Sequence, residues 1–123
     1  MSTDAAIRRV AIGPHFAGGV RHRDRIWLSG HVSRDRSLGV RGQTEEILSR
    51  IDARLAELGS DKSHVLMANV WLADISTFDE MNAAWDAWVD PDHMPARATV
   101  EARLAAPEFL VEIAVVAAAR EGS

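Results

Sequence analysis

A carboxylate in the middle of an apolar run is the residue in this sequence best suited to chemistry. Glu112 sits inside Leu110-Val111-Glu112-Ile113-Ala114, where an ionised side chain is costly unless paired or hydrogen-bonded. The pattern leaves two readings: an edge-facing or ion-paired structural glutamate, or a carboxylate of raised pKa in a half-buried site, suited to handling a proton. Arg97 follows Pro95-Ala96 at the start of the preceding predicted strand, a place where arginine usually faces solvent. A turn near residues 105–108 would fold the two strands into a hairpin, and mirror pairing about it places Glu112 opposite residues 99–101. A guanidinium fork and a carboxylate would then meet at one end of a sheet. Because guanidinium grips carboxylates bidentately, that arrangement suits a small carboxylic acid.

Other chemistries find less support. The five histidines, at positions 15, 22, 31, 64 and 93, show no i, i+4 pair and no ligand spacing, so no metal is expected. Asp90-Pro91-Asp92-His93 reads as a helix stop rather than a metal loop. The absence of cysteine excludes a disulfide framework, a thiol nucleophile and thiolate metal sites. There is no phosphate loop and no dinucleotide fingerprint. Trp27, Trp71, Trp85 and Trp88 fall at strand and helix core positions, not on a base-stacking platform.

The elements that must position Arg97 and Glu112 follow from periodicity. Residues 8–12, 16–20 and 25–33 read as strands punctuated by Gly13-Pro14, Gly18-Gly19 and the turn at His22 to Asp24; residues 34–42 read as a loop. From Gln43 the period changes: Ile47, Leu48, Ile51, Leu55 and Leu58 make a helical stripe, with Glu45 and Glu46 expected in the first turn and Gly59 as the stop. A strand over 65–73 follows. Ser76 and Asp79 then resemble a capping box opening a helix with Phe78, Met81, Trp85 and Trp88 on one side. Two closing strands cover about 96–104 and 109–118. The order β-β-β-α-β-α-β-β predicts an α+β two-layer sandwich, a six-stranded mixed sheet with two helices on one face. The last strand, with Val111, Ile113, Val115, Val116 and three alanines, is apolar on both faces. With helices on one side only, another subunit is expected on the other.

Composition sets the frame. One domain over residues 1–123 is expected from the length, and 47% hydrophobic residues suit a globular chain that needs no staple. The net charge is −4, which disfavours a phosphate-backbone binder. Residues 1–41 carry eight arginines and three aspartates, whereas 42–123 are acidic; the basic Arg21 to Arg25 stretch reads as a solvated hairpin turn. No apolar run is long enough to span a membrane, and Met1-Ser2-Thr3-Asp4 lacks the order of a signal peptide. A soluble, cytoplasmic protein without nucleic-acid or membrane partners is expected.

Several segments together resemble the RidA/YjgF family of small enamine/imine deaminases: Trp27-Leu28-Ser29-Gly30, Gln43-Thr44, Asp74 to Asn82, Pro95-Ala96-Arg97-Ala98-Thr99-Val100 and Val111-Glu112-Ile113. The similarity spans about residues 12–118, and the Pro-Ala-Arg and Val-Glu-Ile segments at their separation are its most specific part. Gly59 to Ser63 and Asn82 to Val89 look closest to a sub-branch whose substrates are poorly defined. The resemblance implies a chorismate mutase-like homotrimer with clefts between subunits and no cofactor. It implies that Arg97 grips the substrate carboxylate, Glu112 orients and activates water, Ser29 and Gly30 line the site, and Asn82 lies near the pocket. Departures from the family pattern fall at His15 where tyrosine is typical, His31 where glutamine is, and Thr99 where cysteine or serine is. His15 and His31 are either replacement proton carriers or polar wall residues. The implied reaction is hydrolysis of a 2-imino or 2-enamine acid such as 2-aminoacrylate to a 2-keto acid and ammonia, a detoxification of reactive metabolites. A trimer that binds keto or amino acids without turnover is the alternative. Ribonuclease action, sometimes attached to the family, is disfavoured by the net charge.

Overall fold

Alternating burial along the strands and single apolar stripes along the helices build two layers in this computed structural model, which describes residues 6–122. Ser123 and the Met1-Ser2-Thr3-Asp4 start, on which the targeting expectation rests, lie outside the described residues. The elements are β1 (Ile7–Ile12), β2 (Ala17–His22), β3 (Arg25–Leu28), β4 (His31–Val32), α1 (Val40–Glu57), β5 (Val65–Leu72), α2 (Phe78–Trp88), β6 (Ala96–Glu101) and β7 (Val111–Ala118). The strands form one mixed seven-stranded sheet in the order β1-β2-β3-β7-β5-β6, with β4 beside β7 in the line of β3. The predicted strand over 25–33 is thus broken at Ser29-Gly30, which turns six expected strands into seven. Together with two helices on one face, this is the expected α+β architecture.

α1 buries Val40, Gln43, Thr44, Ile47, Leu48, Ile51 and Leu55 against the sheet. It opens three residues earlier than predicted, because the Gln43 N–H already bonds the carbonyl of Gly39 at 2.8 Å. Glu45 and Glu46 therefore lie beyond the first turn, which contains no acid. Gly59, at φ 85°, closes the helix as expected. The predicted Ser76–Asp79 box does not form. Instead the Asp74 carboxylate accepts from the Ser76 N–H and Oγ at 2.9 and 2.7 Å, closing a short 3-10 turn before Phe78. Met81, Ala84 and Trp85 are the buried face of α2. Asp90 beyond its end accepts from Ser63 Oγ, the Asp92 N–H and His93 Nδ1, which together hold its carboxyl down to about 2.

The expected hairpin between the last two strands is not present. β7 runs antiparallel to β5 and β3, and β5 separates it from β6, which pairs with β5 in parallel. The cause is polarity: β7 buries Val111, Ile113, Val115 and Ala117 completely and takes a central place, whereas no residue of β6 is buried and it takes the edge. The parallel β5–β6 pair then needs a crossover, which α2 provides. On the face away from the helices, cross-strand rows run Trp27–Val116–Met67–Ala96, Ala114–Asn69–Ala98 and Val32–Glu112–Trp71–Val100. Trp27 is 43% exposed there, correcting its expected core position, and Val100 is 51% exposed. Trp85 is buried, and Trp71 and Trp88 are half-buried. The Arg21 to Arg25 stretch is the expected hairpin turn, two residues long with Arg23 at φ 59°. No helix among the described residues is long and apolar enough to cross a membrane.

Candidate functional site

β6 presents Arg97 and Thr99 to the helix side, in register with the buried Ala68 and Val70 of β5. α2 meets them with Phe78, Met81, Asn82 and Trp85, spaced three, four and seven residues from the first, so that all four share one face. The Arg97 guanidinium lies 5.1 Å from the ring centre of Trp85 and 5.6 Å from that of Phe78, and Nη1 is 3.9 Å from Met81 Sδ. No carboxylate among the described residues pairs with it. Burial pushes its pKa down and the charge of Asp86 opposes the shift; a guanidinium stays protonated in proteins regardless. Two further polar atoms on the same elements, Asn82 Oδ1 and Thr99 Oγ1, are buried with no hydrogen-bond partner among the described residues. Buried polar atoms are nearly always paired. A cation on an aromatic platform with an open acceptor and an open hydroxyl nearby is arranged to receive an acid that also carries a donor.

Glu112 lies elsewhere. It pairs in register with Val32 and Trp71 on the face away from the helices, so within one chain it and Arg97 occupy opposite faces of the sheet. The convergence expected from mirror pairing does not occur in a single chain. What Glu112 does meet is the Ser29-Gly30 break: a methyl group on Gly30 would overlap Glu112 Oε2, with Cδ at 2.9 Å. The absence of a side chain at Gly30 is what lets that carboxylate approach so closely. Ser29 Oγ is 3.3 Å from the Gly18 carbonyl, and Ser29, Gly30 and His31 line a cavity shared with α1. His15 stands exposed in the turn between β1 and β2, outside that lining. Of the expected site residues, the chain thus assembles Arg97, Thr99 and Asn82 in one place, sets Glu112 against Gly30 on the opposite face of the sheet, and keeps His31, in register with Ile113, on the helix face beside Ser29. The aromatic platform under Arg97 escaped sequence reasoning, although its signal was the same Phe78, Met81, Trp85 stripe assigned to the core.

His31 is buried, and its Nδ1 is 2.7 Å from the Ser29 carbonyl. A carbonyl only accepts, so Nδ1 bears the proton. Burial lowers its pKa from 6.5, the Ser29 bond opposes, and Arg50, Arg54 and Arg34 lower it further. The unfolded chain therefore binds more protons between the folded pKa and 6.5, and stability must fall as pH drops through that window. The slope from this group is at most about 1.4 kcal/mol per pH unit. His31→Gln is expected to flatten the fall; urea midpoints at pH 7 and pH 5 measure it, and equal falls in both proteins would refute the assignment.

Comparison with known proteins agrees with this architecture. The sequence pattern of the family described as Endoribonuclease L-PSP matches residues 6–119. A RutC family protein of Haemophilus ducreyi is 42% identical over 112 residues, covering 91% of this chain and 96% of the relative. The RutC family protein YoaB of Escherichia coli is 40% identical over 112 residues, covering 91% and 97%. The crystal structure of a YjgF family member from Neisseria meningitidis superposes with a TM-score of 0.91 at 44% identity, covering 96% of this chain and 98% of that one. The chain accordingly belongs to the RidA/YjgF family, whose members also carry the RutC and L-PSP names.

Proposed function

We propose that the protein hydrolyses reactive 2-imino and 2-enamine acids, of which 2-aminoacrylate is the simplest, to 2-keto acids and ammonia. The observation that carries this reading is the half-buried Arg97 cation, held on Trp85 and Phe78 with no carboxylate paired to it among the described residues. The substrate carboxylate docks there. The enamine takes a proton on carbon to become the imine, water adds to the C=N carbon, and the carbinolamine loses ammonia to leave the ketone. Glu112 orients that water and takes its proton. The uncatalysed hydrolysis is already easy, so positioning and proton handling suffice and no cofactor is invoked.

Because Arg97 and Glu112 face opposite ways in one chain, this mechanism needs a second copy to complete the site. The homotrimer we infer is supported by the open sheet face, where Trp27, Val116, Met67, Ala114, Trp71 and Val100 form contiguous rows that no helix among the described residues covers. Light scattering is expected to give three times the chain mass; a clean monomer would remove both the assembly and the mechanism. We place this activity in the cytoplasm, in the disposal of reactive imines, with neither nucleic acid nor membrane as partner. The net charge of −4 supports that choice over the ribonuclease action in the family description.

The direct test generates 2-aminoacrylate in situ with a dehydratase and follows imine loss. The protein is expected to accelerate it, and no acceleration across several imines would sink the enzyme reading. The separation of Arg97 from Glu112 within the chain favours one alternative, a non-catalytic trimer that binds keto or amino acids; saturable keto-acid binding without turnover would be its signature. Gly30→Ala offers an independent check. The overlap is with the end of a flexible side chain, so the fold tolerates it while the Glu112 carboxylate must move. Activity is expected to fall about 100-fold, the scale of a misplacement by roughly 1 Å, with an unchanged urea midpoint. An active Gly30→Ala protein would exclude Glu112 from the reaction.

A further inference from the structure

β1 forms one edge of the sheet, and the segment that begins with it concentrates positive charge. Residues 7–25 hold five arginines, Arg8, Arg9, Arg21, Arg23 and Arg25, against one acid, Asp24, in a chain of net charge −4. The sheet register stacks them: Arg8 stands directly opposite Arg21, and His22 directly opposite Arg25. Side chains so paired have Cβ atoms about 5 Å apart, and like charges at that spacing destabilise the sheet. Arg8, Arg9 and Arg25 form no ion pair among the described residues. Three cations on one hairpin are thus left for an anion from outside.

That anion has a defined place to lie. Every β1 residue except Val10 is exposed, and one side of the strand has no neighbour among the described residues. An open edge of this kind accepts an extended segment through its free N–H and C=O groups. Side chains alternate along β1, so Arg8 and Val10 would flank such a segment on the helix side, and Ile7 and Arg9 on the other. Ala11, at φ 50°, departs from extended geometry and limits the usable edge to residues 7–10. A second copy of β1 would bring Arg8 and Arg9 of both chains to one junction, so charge disfavours self-pairing. A phosphate backbone would use the arginines but leave the edge groups unpaired and Ile7, 46% exposed, uncovered.

We propose that β1 docks an extended acidic segment of a partner protein with the pattern apolar, acidic, acidic, apolar. The segment adds a strand to the sheet. Its two carboxylates face Arg8 and Arg9, and its apolar side chains pack on Ile7 and Val10. The pattern reads the same in both directions, so it fits either strand polarity. The rows inferred to face neighbouring subunits begin at Trp27 on β3, two strands inward from β1. The docking does not rest on the deaminase reading.

The test is an NMR titration of the isotope-labelled full chain with the end-capped peptide Thr-Val-Glu-Glu-Val-Thr. Saturable shifts are expected in residues 7–10, with slowed hydrogen exchange of the β1 amides that point away from β2. Of two versions N-methylated on alternate amides, one is expected to bind like the parent and the other about tenfold more weakly, because only one set faces β1. Replacing both peptide glutamates by glutamine, or Arg8→Gln together with Arg9→Gln in the protein, is expected to weaken binding about tenfold, the scale of two exposed ion pairs. Equal affinity of the two N-methylated versions would reduce the edge to a charged patch and overturn the proposal. So would no saturation by about 5 mM, or tighter binding of a uridine decanucleotide at the same residues. β1 amides already slow without peptide would show a second copy on the edge and overturn it too. If the double variant does not fold, the glutamate and glutamine peptides compared on the wild type carry the charge test.

Discussion

Arg97→Ala is expected to lower kcat/KM for 2-aminoacrylate hydrolysis by about 30- to 1,000-fold while the protein stays folded. Removing one partner of a hydrogen-bonded charge pair in a half-buried site costs about 2–4 kcal/mol, and each 1.36 kcal/mol is about tenfold in rate. The fold survives because Arg97 has no ion pair to lose among the described residues, and its aromatic neighbours remain packed through the buried Trp85 and Met81. Arg97→Lys sharpens the point. It keeps the charge but loses the planar fork and its stacking on Trp85 and Phe78, so an intermediate loss of about tenfold is expected. The split matters as much as the size. A rise in KM at constant kcat would make Arg97 a docking group alone, whereas a fall in kcat would mean that it holds the acid in the reacting geometry. If Arg97→Ala retained its rate within about threefold, well inside the loss that a docking cation predicts, the carboxylate would have to be held elsewhere. Imine hydrolysis would then no longer have its anchor.

The sequence made both chemical residues visible but not their relation. Glu112 stands out because every neighbour in its strand is apolar, and the alternation of β7 does put it on a different face from Val111 and Ile113. Arg97 was correctly placed at the start of a strand. The error lay in pairing consecutive strands by reflection about their turn, a rule that holds for neighbours and fails when a third strand is inserted. The remedy was in the residues: a strand apolar on both faces needs partners on both edges, whereas Ala96-Arg97-Ala98-Thr99-Val100-Glu101 has too few apolar side chains for the centre. Local boundaries failed for a different reason. Gly39 starts α1 through its backbone carbonyl, and Asp74 displaces Ser76 as the cap because its carboxylate reaches both Ser76 donors. Neither choice is encoded in hydrophobic period. The cavity beside Ser29, Gly30 and His31 was invisible for a third reason, since it arises only when β2, the Ser29-Gly30 break and one turn of α1 are brought together in space.

Gln43 connects these levels, and its replacement is expected to have the largest effect on stability. It is completely buried in the first turns of α1. Its Nε2 donates to the carbonyls of Leu38 and Glu108 at 3.0 and 2.9 Å, and its Oε1 accepts from the Leu110 N–H at 3.0 Å. One side chain thus fastens the loop before α1 to the segment that leads into β7. Losing three such bonds at about 1 kcal/mol each predicts a destabilisation of about 3 kcal/mol for Gln43→Ala, or roughly 10 °C in Tm for a chain of this length. Gln43→Met separates the causes: it preserves most of the volume and removes every hydrogen bond, so it should be nearly as damaging. A Met variant close to wild type would mean that the cavity, not the polar staple, carries the cost. The melts must be compared at one protein concentration, because association would shift both. Amide exchange supplies the local readout, since the Leu110 N–H should lose its protection in both variants. Two residues beyond Leu110 stands Glu112, so a loosened Leu110 also frees the carboxylate that Gly30 now confines; activity should therefore fall in Gln43→Met even below its melting transition.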